Sequence, residues 1–161
     1  IPYFGICYGM QAAVIEYARN VLGYTDANTT EVNPKTTKPL IALMDEQMHI
    51  TDKGGTMRLG AQQCELAEDS IARAAYGEAH ITERHRHRYE FNNDFKDVLT
   101  EAGLKATGIN PDSGLVEIIE VEDHPFFVGV QYHPEYKSTV VKPHPLFVAF
   151  IKACDEFHQN K

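Results

Sequence analysis

A cysteine lies between two glycines close to the start of the chain, in the segment Gly5-Ile6-Cys7-Tyr8-Gly9. An apolar and aromatic run from Tyr3 to Cys7 comes before the turn, and this run predicts a strand. Apolar residues then recur at every fourth position from Met10 to Leu22, which predicts an amphipathic helix that stops at Gly23. A strand, a tight turn and a helix in this order are typical of a nucleophile elbow in which cysteine replaces serine.

The elbow interpretation gives each residue type a physical reason. A nucleophile on a tight turn has a strained backbone, and we expect side chains at Gly5 or Gly9 to crowd that turn. The turn places the Cys7 sulfur at a helix N-terminus, where the helix dipole and free N–H groups favour the thiolate. The backbone N–H of Tyr8 is a natural donor to an oxyanion. The alternative is a buried structural cysteine between two glycines.

Strand-like and helix-like segments alternate along the rest of the chain. Helical patterns occur at 70–76, at 93–102 and from Pro145 onward, whereas the segment 25–38 predicts a loop and Leu40–Met44 is a strand or a helical turn. Extended or β-rich runs are predicted at 57–66, 79–91, 104–109, 116–121 and 127–132. The alternation predicts one α/β domain with an open, mostly parallel sheet, flanking helices and some antiparallel pairing in the second half.

Composition excludes several classes of protein. The 161 residues, 43% of them hydrophobic and 24% charged, are typical of a globular domain with its own core. The sequence has no apolar run long enough for a membrane span. A net charge of −8 disfavours a nucleic-acid-binding surface. Three widely spaced cysteines do not form a disulfide framework and indicate a reducing compartment, so we expect a cytoplasmic protein.

A cysteine nucleophile needs a general base, and we expect His133 to provide it. His133 follows the apolar run Phe127–Val130, and side chains at the carboxyl end of a strand point into the ligand crevice of α/β proteins. Glu135 can accept a hydrogen bond from the imidazole and hold its tautomer. The alternative is a surface histidine in a turn. Neither Cys64, which has no elbow glycines, nor Cys154, on the apolar stripe of the last helix, is a predicted nucleophile.

The segments Pro2–Gln11 and Val130–Glu135 together resemble the catalytic segments of class I glutamine amidotransferases. Two segments between them, Gly54–Gly60 and Glu83–Asn92, resemble one branch of that family, the glutaminase domains of CTP synthases. The resemblance implies that 1–161 is a glutamine amidotransferase domain that is incomplete on its N-terminal side. The strands before the elbow, their oxyanion loop and the synthetase domain would then be missing, and we expect the isolated fragment to be weakly active.

The resemblance implies a Cys7–His133–Glu135 triad. The thiolate attacks the side-chain amide of L-glutamine, ammonia leaves, and water hydrolyses the resulting glutamyl thioester. No cofactor is implied for this step. The ammonia would pass to a synthetase domain that uses ATP and Mg²⁺ to convert UTP to CTP, in a homo-oligomeric enzyme that GTP activates.

The resemblance also implies binding residues. Those for glutamine are Tyr8, Gln11, Glu31 and Arg88, and an Arg and a Glu suit the two charges of a free amino acid. Tyr8 departs from the family, which usually has a smaller aliphatic residue there. A mobile lid is implied at Gly55, Thr56, Met57 and Arg58, where Arg58 would contact a nucleotide phosphate. The alternative is a plain glycine-rich hairpin loop.

Histidines and arginines alternate in the segment Arg84-His85-Arg86-His87-Arg88. A strand would place the histidines on one face and the arginines on the other. We expect no metal site here, because interleaved cations repel a divalent ion. Besides a glutaminase, the residues leave open a cysteine hydrolase or peptidase of related fold, or a non-catalytic fragment, and Arg88 with Glu31 favours the glutaminase.

Overall fold

The computed structural model of the protein describes residues 1–43 and 57–160. Within these ranges the chain forms nine strands and four α-helices. In chain order they are β1 (Tyr3–Ile6), α1 (Tyr8–Asn20), β2 (Ala27–Thr29), β3 (Lys38–Ala42), β4 (Arg58–Leu66), α2 (Ile71–Tyr76), β5 (His80–His87), β6 (Glu90–Phe91), α3 (Lys96–Glu101), β7 (Leu104–Ile109), β8 (Val116–Val121), β9 (Phe127–Val130) and α4 (Pro145–Gln159). None of the helices in this part of the chain is long and apolar enough to cross a lipid bilayer.

The main sheet has six strands in the order β1-β9-β8-β7-β4-β5, and β2, β3 and β6 form a smaller sheet. The predicted α/β fold with an open sheet and flanking helices is confirmed. Parallel pairing is limited to β1 with β9 and β2 with β3 among the described strands, so the main sheet is mixed where a mostly parallel one was predicted. Short turns join β7 to β8 and β8 to β9, and such turns can connect only antiparallel neighbours.

The predicted loop at 25–38 is wrong at its two ends. Ala27–Thr29 forms β2, which pairs with β3, and β3 begins at Lys38. Backbone pairing with a neighbouring strand stabilises these polar residues as strands, although their composition is typical of a turn. The segment from Leu40 belongs to β3 as far as Ala42, and Met44 lies outside the described residues.

Two apolar clusters cover the main sheet. On one side, Met10, Val14 and Ala18 of α1 are fully buried, as the four-residue spacing predicts, and pack in one cluster with Ile119 of β8. On the other side, Leu146 of α4 packs in a second cluster with strand residues such as Val130. Adjacent residues of β8, Ile118 and Ile119, belong to different clusters because successive strand side chains point to opposite faces. The sheet is therefore held between α1 on one side and α2 and α4 on the other.

Candidate active site

Cys7 lies at the turn between β1 and α1 with φ 52° and ψ −104°. In the described part of the chain, only Cys7 and Asp123 combine a side chain with a positive φ. The strained backbone is held from both sides, because the Cys7 N–H donates to Val130 O at 2.7 Å and the Gln11 N–H donates to Cys7 O at 3.3 Å. Strain of this kind persists only where the surrounding structure fixes it, and it is common at catalytic residues. The predicted elbow is therefore present.

The two flanking glycines differ in what they contribute. A Cβ atom at Gly5 would lie 2.8 Å from the carbonyl carbon of Gly9 and 2.9 Å from the Tyr3 ring. A Cβ atom at Gly9 would meet nothing closer than the Tyr3 hydroxyl at 3.8 Å, which is an ordinary contact. The expected crowding is confirmed at Gly5 and is wrong at Gly9.

The Cys7 sulfur lies between a donor and an acceptor. Gln131 Nε2 donates to Sγ at 3.7 Å, and Sγ lies 4.0 Å from Arg86 O. Burial raises the pKa of the Cys7 thiol; the Tyr8 N–H and the Gln131 amide oppose this, and Glu135 and Glu90 add to it. The Tyr8 N–H at the helix N-terminus favours the thiolate, as predicted, but desolvation outweighs it, so the net shift of the thiol pKa is upward.

His133 and Glu135 follow β9, the parallel neighbour of β1. The register pairs Ile6 with Val130, so the elbow and the segment of His133 leave the same edge of the sheet. The Nδ1 atom of His133 lies 2.6 Å from Glu135 Oε1. A carboxylate can only accept, so Nδ1 carries a proton, and in the neutral ring the lone pair is then on Nε2. Nε2 is buried and makes no hydrogen bond to Cys7 or to any other described residue.

A cleft of about 390 Å³ opens beside the sulfur. It contains all four predicted glutamine-binding residues and one predicted lid residue, and its lining is Cys7, Tyr8, Gln11, Glu31, Met57, Arg86, His87, Arg88 and Tyr89. The structure thus brings together residues that lie far apart in the sequence. The carboxylate of Glu31 and the guanidinium groups of Arg86 and Arg88 give the cleft charges of both signs.

Of the remaining predicted lid residues, Gly55 and Thr56 lie outside the described residues. Arg58 begins β4, where its guanidinium donates to Glu117 at 2.7 Å and to Glu90 at 3.3 Å. Both carboxylates are buried, and the Arg58 side chain is only 14% exposed. These contacts make Arg58 the counter-ion of two buried acids, and its contact with a nucleotide phosphate stays a prediction.

The alternation predicted for β5 is confirmed, because His85 and His87 are buried and Arg84 and Arg86 are exposed. His85 Nδ1 lies 2.8 Å from His87 Nε2. Burial lowers the pKa of His85 to about 2 and that of His87 to about 3, so both are neutral. Within the described ranges no group of three or more His, Cys, Asp or Glu side chains has the geometry of a metal site.

Sequence reasoning missed the buried polar residues around the site. Gln131 is fully buried and contacts the sulfur, and Glu117 is fully buried beside Arg58. A signal exists for each, because Gln131 inside the apolar run Phe127–Tyr132, and Glu117 and Glu120 inside the run Val116–Val121, need buried hydrogen-bond partners.

The comparisons with known proteins agree with this geometry. A family model described as Glutamine amidotransferase class-I matches residues 1–153. The CTP synthase of Flavobacterium psychrophilum is 66% identical over 161 residues, which are 100% of this chain and 30% of that protein. The CTP synthase of Flavobacterium johnsoniae is 64% identical over 160 residues, which are 99% of this chain and 30% of that protein.

Among solved structures, the glutaminase domain of Trypanosoma brucei CTPS, which contains bound acivicin, superposes with a TM-score of 0.89. It is 39% identical, and the match covers 97% of this chain and 61% of that chain. This chain therefore spans about 30% of the length of the curated relatives. Because the family model covers nearly every residue, including the elbow and the His133 segment, the chain belongs to the class-I glutamine amidotransferase family.

Proposed function

We propose that the chain hydrolyses L-glutamine to glutamate and ammonia, and that in a longer CTP synthase the ammonia is used for ATP-dependent amination of UTP to CTP. One observation carries the proposal: a strained cysteine and a histidine with a free, buried Nε2 leave the same edge of two paired parallel strands. Glu135 fixes the tautomer of that histidine. A cysteine, a base and an orienting acid are the parts that nucleophilic acyl transfer needs.

In the first half of the reaction, the Cys7 thiol gives its proton to His133 Nε2, and the sulfur attacks the side-chain amide carbon of glutamine. The Tyr8 N–H, which already donates towards the sulfur, is in place to bind the oxyanion that forms. The imidazolium then protonates the amide nitrogen, the carbon–nitrogen bond breaks, and ammonia leaves. A glutamyl thioester remains on Cys7.

In the second half, His133 takes a proton from water, and the hydroxide attacks the thioester carbon. The carbon–sulfur bond breaks, glutamate leaves, and the sulfur recovers a proton from the imidazolium. Glu135 accepts from His133 Nδ1 in both halves and stabilises the imidazolium form of His133. The same three side chains thus serve both halves of the cycle.

The cleft supports a free amino acid as the substrate. Arg88 offers a planar guanidinium to an α-carboxylate, and Glu31 offers a carboxylate to an α-ammonium group. Arg88 Nε is buried without a hydrogen-bond partner among the described residues, so it has a donor to spare for a ligand. A peptide would bring neither charge to its internal glutamine residues.

The rest of the proposal concerns the longer enzyme. We expect a synthetase domain that binds ATP and Mg²⁺, activation by GTP, a homo-oligomer and a cytoplasmic location. The support is the identity of 66% and 64% to proteins that are CTP synthases. Met57, one of the predicted lid residues, lies in the cleft wall.

The decisive experiment uses the full-length enzyme with Cys7→Ala. We expect glutamine hydrolysis to fall to background, because no other group can form the thioester, and ammonia-dependent CTP formation to change less than about twofold. Cys154→Ala, on the distant helix α4, is the matched control and should keep both activities. Glutamine hydrolysis that survives Cys7→Ala, or cleavage of glutamine-containing peptides in preference to free glutamine, would contradict the proposal.

A further inference from the structure

Gln131 is the residue immediately after β9, and its side chain is completely buried. Its backbone N–H donates to Glu117 O at 2.8 Å, which fixes it to β8. The residue before it, Val130, accepts the N–H of Cys7. The backbones of Gln131 and Cys7 are therefore held against each other by the strand pairing itself, and their side chains meet beyond the ends of β1 and β9.

The orientation of the Gln131 amide follows from the backbone carbonyl oxygen of Tyr89, which can only accept a hydrogen bond. Gln11 Nε2 donates to the carbonyl oxygen of Tyr89 at 2.9 Å, so the amino group of Gln11 must point this way. The same amino group donates to Gln131 Oε1 at 3.1 Å. With its oxygen occupied, Gln131 turns its own amino group to the Cys7 sulfur at 3.7 Å. A flipped Gln131 would place two acceptors, or two donors, against each other.

We propose that Gln131 is a positioning residue for Cys7: its amide, locked by Gln11, donates to Sγ, holds the sulfur in one rotamer and stabilises the thiolate over the thiol. This inference rests on the proposed function, in which Cys7 is the nucleophile. Gln131 is not part of the cleft wall, so it acts on the reaction through the sulfur.

The Gln131 amide acts against groups around the sulfur that disfavour its anionic form. Burial disfavours the thiolate, and the carboxylates of Glu135, beyond β9, and Glu90, on β6, act in the same direction. Arg58 on β4 neutralises part of the Glu90 charge, and His85 and His87 on β5 are neutral. Arg86 and Arg88 lie in the cleft wall, and His133 takes up the proton. The Tyr8 N–H and the Gln131 amide donate the hydrogen bonds that favour the anion against burial and the two carboxylates.

The test is the pH profile of Cys7 alkylation by iodoacetamide in the full-length enzyme without glutamine, followed by mass spectrometry. Gln131→Met keeps the length of the side chain and removes the N–H donor. We expect its alkylation to be about tenfold slower at pH values below the thiol pKa, because the midpoint shifts upward by about one pH unit. Gln63→Met, at an exposed position of β4, is the matched control and should leave the profile unchanged.

A second variant keeps the test decisive if Gln131→Met does not fold. Gln11→Met leaves Gln131 in place but removes the lock on its amide, so we expect a smaller slowing in the same direction. With glutamine as substrate, Gln131→Met should lower kcat and leave KM nearly unchanged, since Gln131 does not line the cleft. A merely structural Gln131 would lower thermal stability without moving the alkylation midpoint.

An unchanged midpoint in a folded Gln131→Met protein would overturn the inference. This outcome is distinct from failure of the proposed function, because alkylation is measured without any substrate. If the alkylation midpoint shifts in Gln131→Met but the unmodified enzyme does not hydrolyse glutamine, the inference about Gln131 is upheld and the proposed glutaminase activity is refuted.

Discussion

At the scale of single residues, Cys7 adopts a conformation that its neighbours impose. A φ of 52° is unfavourable for a residue with a side chain, and the turn is so tight that Gly5 lies against both Gly9 and the Tyr3 ring. The Tyr3 hydroxyl also donates to Gly9 O at 2.8 Å, which ties the strand to the first turn of α1. The sulfur is therefore presented by a rigid unit and not by a mobile loop.

We predict that Gly5→Ala destabilises the domain and that Gly9→Ala does not. The added methyl at Gly5 must displace backbone atoms, and overpacking of this kind costs about 1–3 kcal/mol in the free energy of unfolding. Gly9 has room for a methyl group and lies in a helix, where alanine is the better helix former. Urea denaturation followed by circular dichroism measures both variants. Equal stability of the two variants would show that the turn can relax around a Cβ atom.

At the scale of elements, strands β4, β5, β6 and β8 share a buried charge network beside the site. Arg58 bridges Glu117 and Glu90, and His87 Nδ1 lies 3.2 Å from Glu90 Oε1. Burial raises the pKa of Glu90 to about 8 and also raises that of Glu117, although Arg58 opposes both shifts. The network holds the inner face of β5 in place, and the outer backbone of β5 accepts the N–H of His133 at Arg84 O.

The raised and lowered pKa values act on stability in opposite directions. Because the pKa of Glu90 rises from 4.5 to about 8 on folding, the folded state binds more protons in this interval, and stability falls as pH rises through it. The pKa values of His85 and His87 fall from 6.5 to about 2 and 3 on folding, so the unfolded state binds more protons below pH 6.5. Stability therefore falls as pH falls through this interval. Above pH 6.5 the histidines are mostly neutral in both the folded and the unfolded state. The fall in stability with rising pH that Glu90 causes therefore remains in this range.

We predict that Glu90→Gln flattens the pH dependence of stability between pH 6.5 and 8. The amide cannot ionise, so the decline that one carboxyl group causes, up to about 1.4 kcal/mol per pH unit, should disappear from the slope. The free energy of unfolding at several pH values measures this. Exposed Glu65 on β4 offers a control, since Glu65→Gln should leave the slope as it is. Parallel slopes for Glu90→Gln and the unmodified protein would contradict the assignment.

At the scale of the whole molecule, the two apolar clusters place the three cysteines in different environments. Cys7 borders the cleft, Cys154 is half-buried on α4, and Cys64 is only 1% exposed inside the second cluster. Burial also raises the pKa of Cys64 far above that of an ordinary thiol. Access of a reagent to Cys64 therefore requires the sheet and the α4 side to separate.

We predict that alkylation of Cys64 follows global unfolding, whereas Cys7 reacts in the folded protein. In native buffer at alkaline pH, iodoacetamide should modify Cys7 and leave Cys64 intact, because opening of core strands costs nearly the full free energy of unfolding. In increasing urea, Cys64 modification should rise together with the loss of the circular dichroism signal. Modification of Cys64 at low urea, before that signal changes, would reveal local opening of β4.

Features that depend on near neighbours in the chain could be predicted from the amino-acid sequence. The turn at Cys7 follows from a strand run, two glycines and a helical period within some twenty residues, and the His133–Glu135 pair lies within three positions. The alternation of β5 requires nothing beyond the strand period. Local steric and hydrogen-bonding rules are sufficient for such features, and the structure agrees with each of these predictions.

Features that join distant segments could not be predicted from the sequence, because they depend on how the whole chain packs. Gln131 donates to Cys7, which is 124 positions away in the sequence, and Arg58 donates to Glu117, which is 59 positions away. The register of the paired strands brings these residues together, and the sequence pattern does not specify that register. The mixed pairing of the main sheet and the raised pKa of the Cys7 thiol belong to the same class. Each depends on which surfaces are buried together, and burial is a property of the packed molecule, because desolvation acts on a group only after the rest of the chain has closed around it.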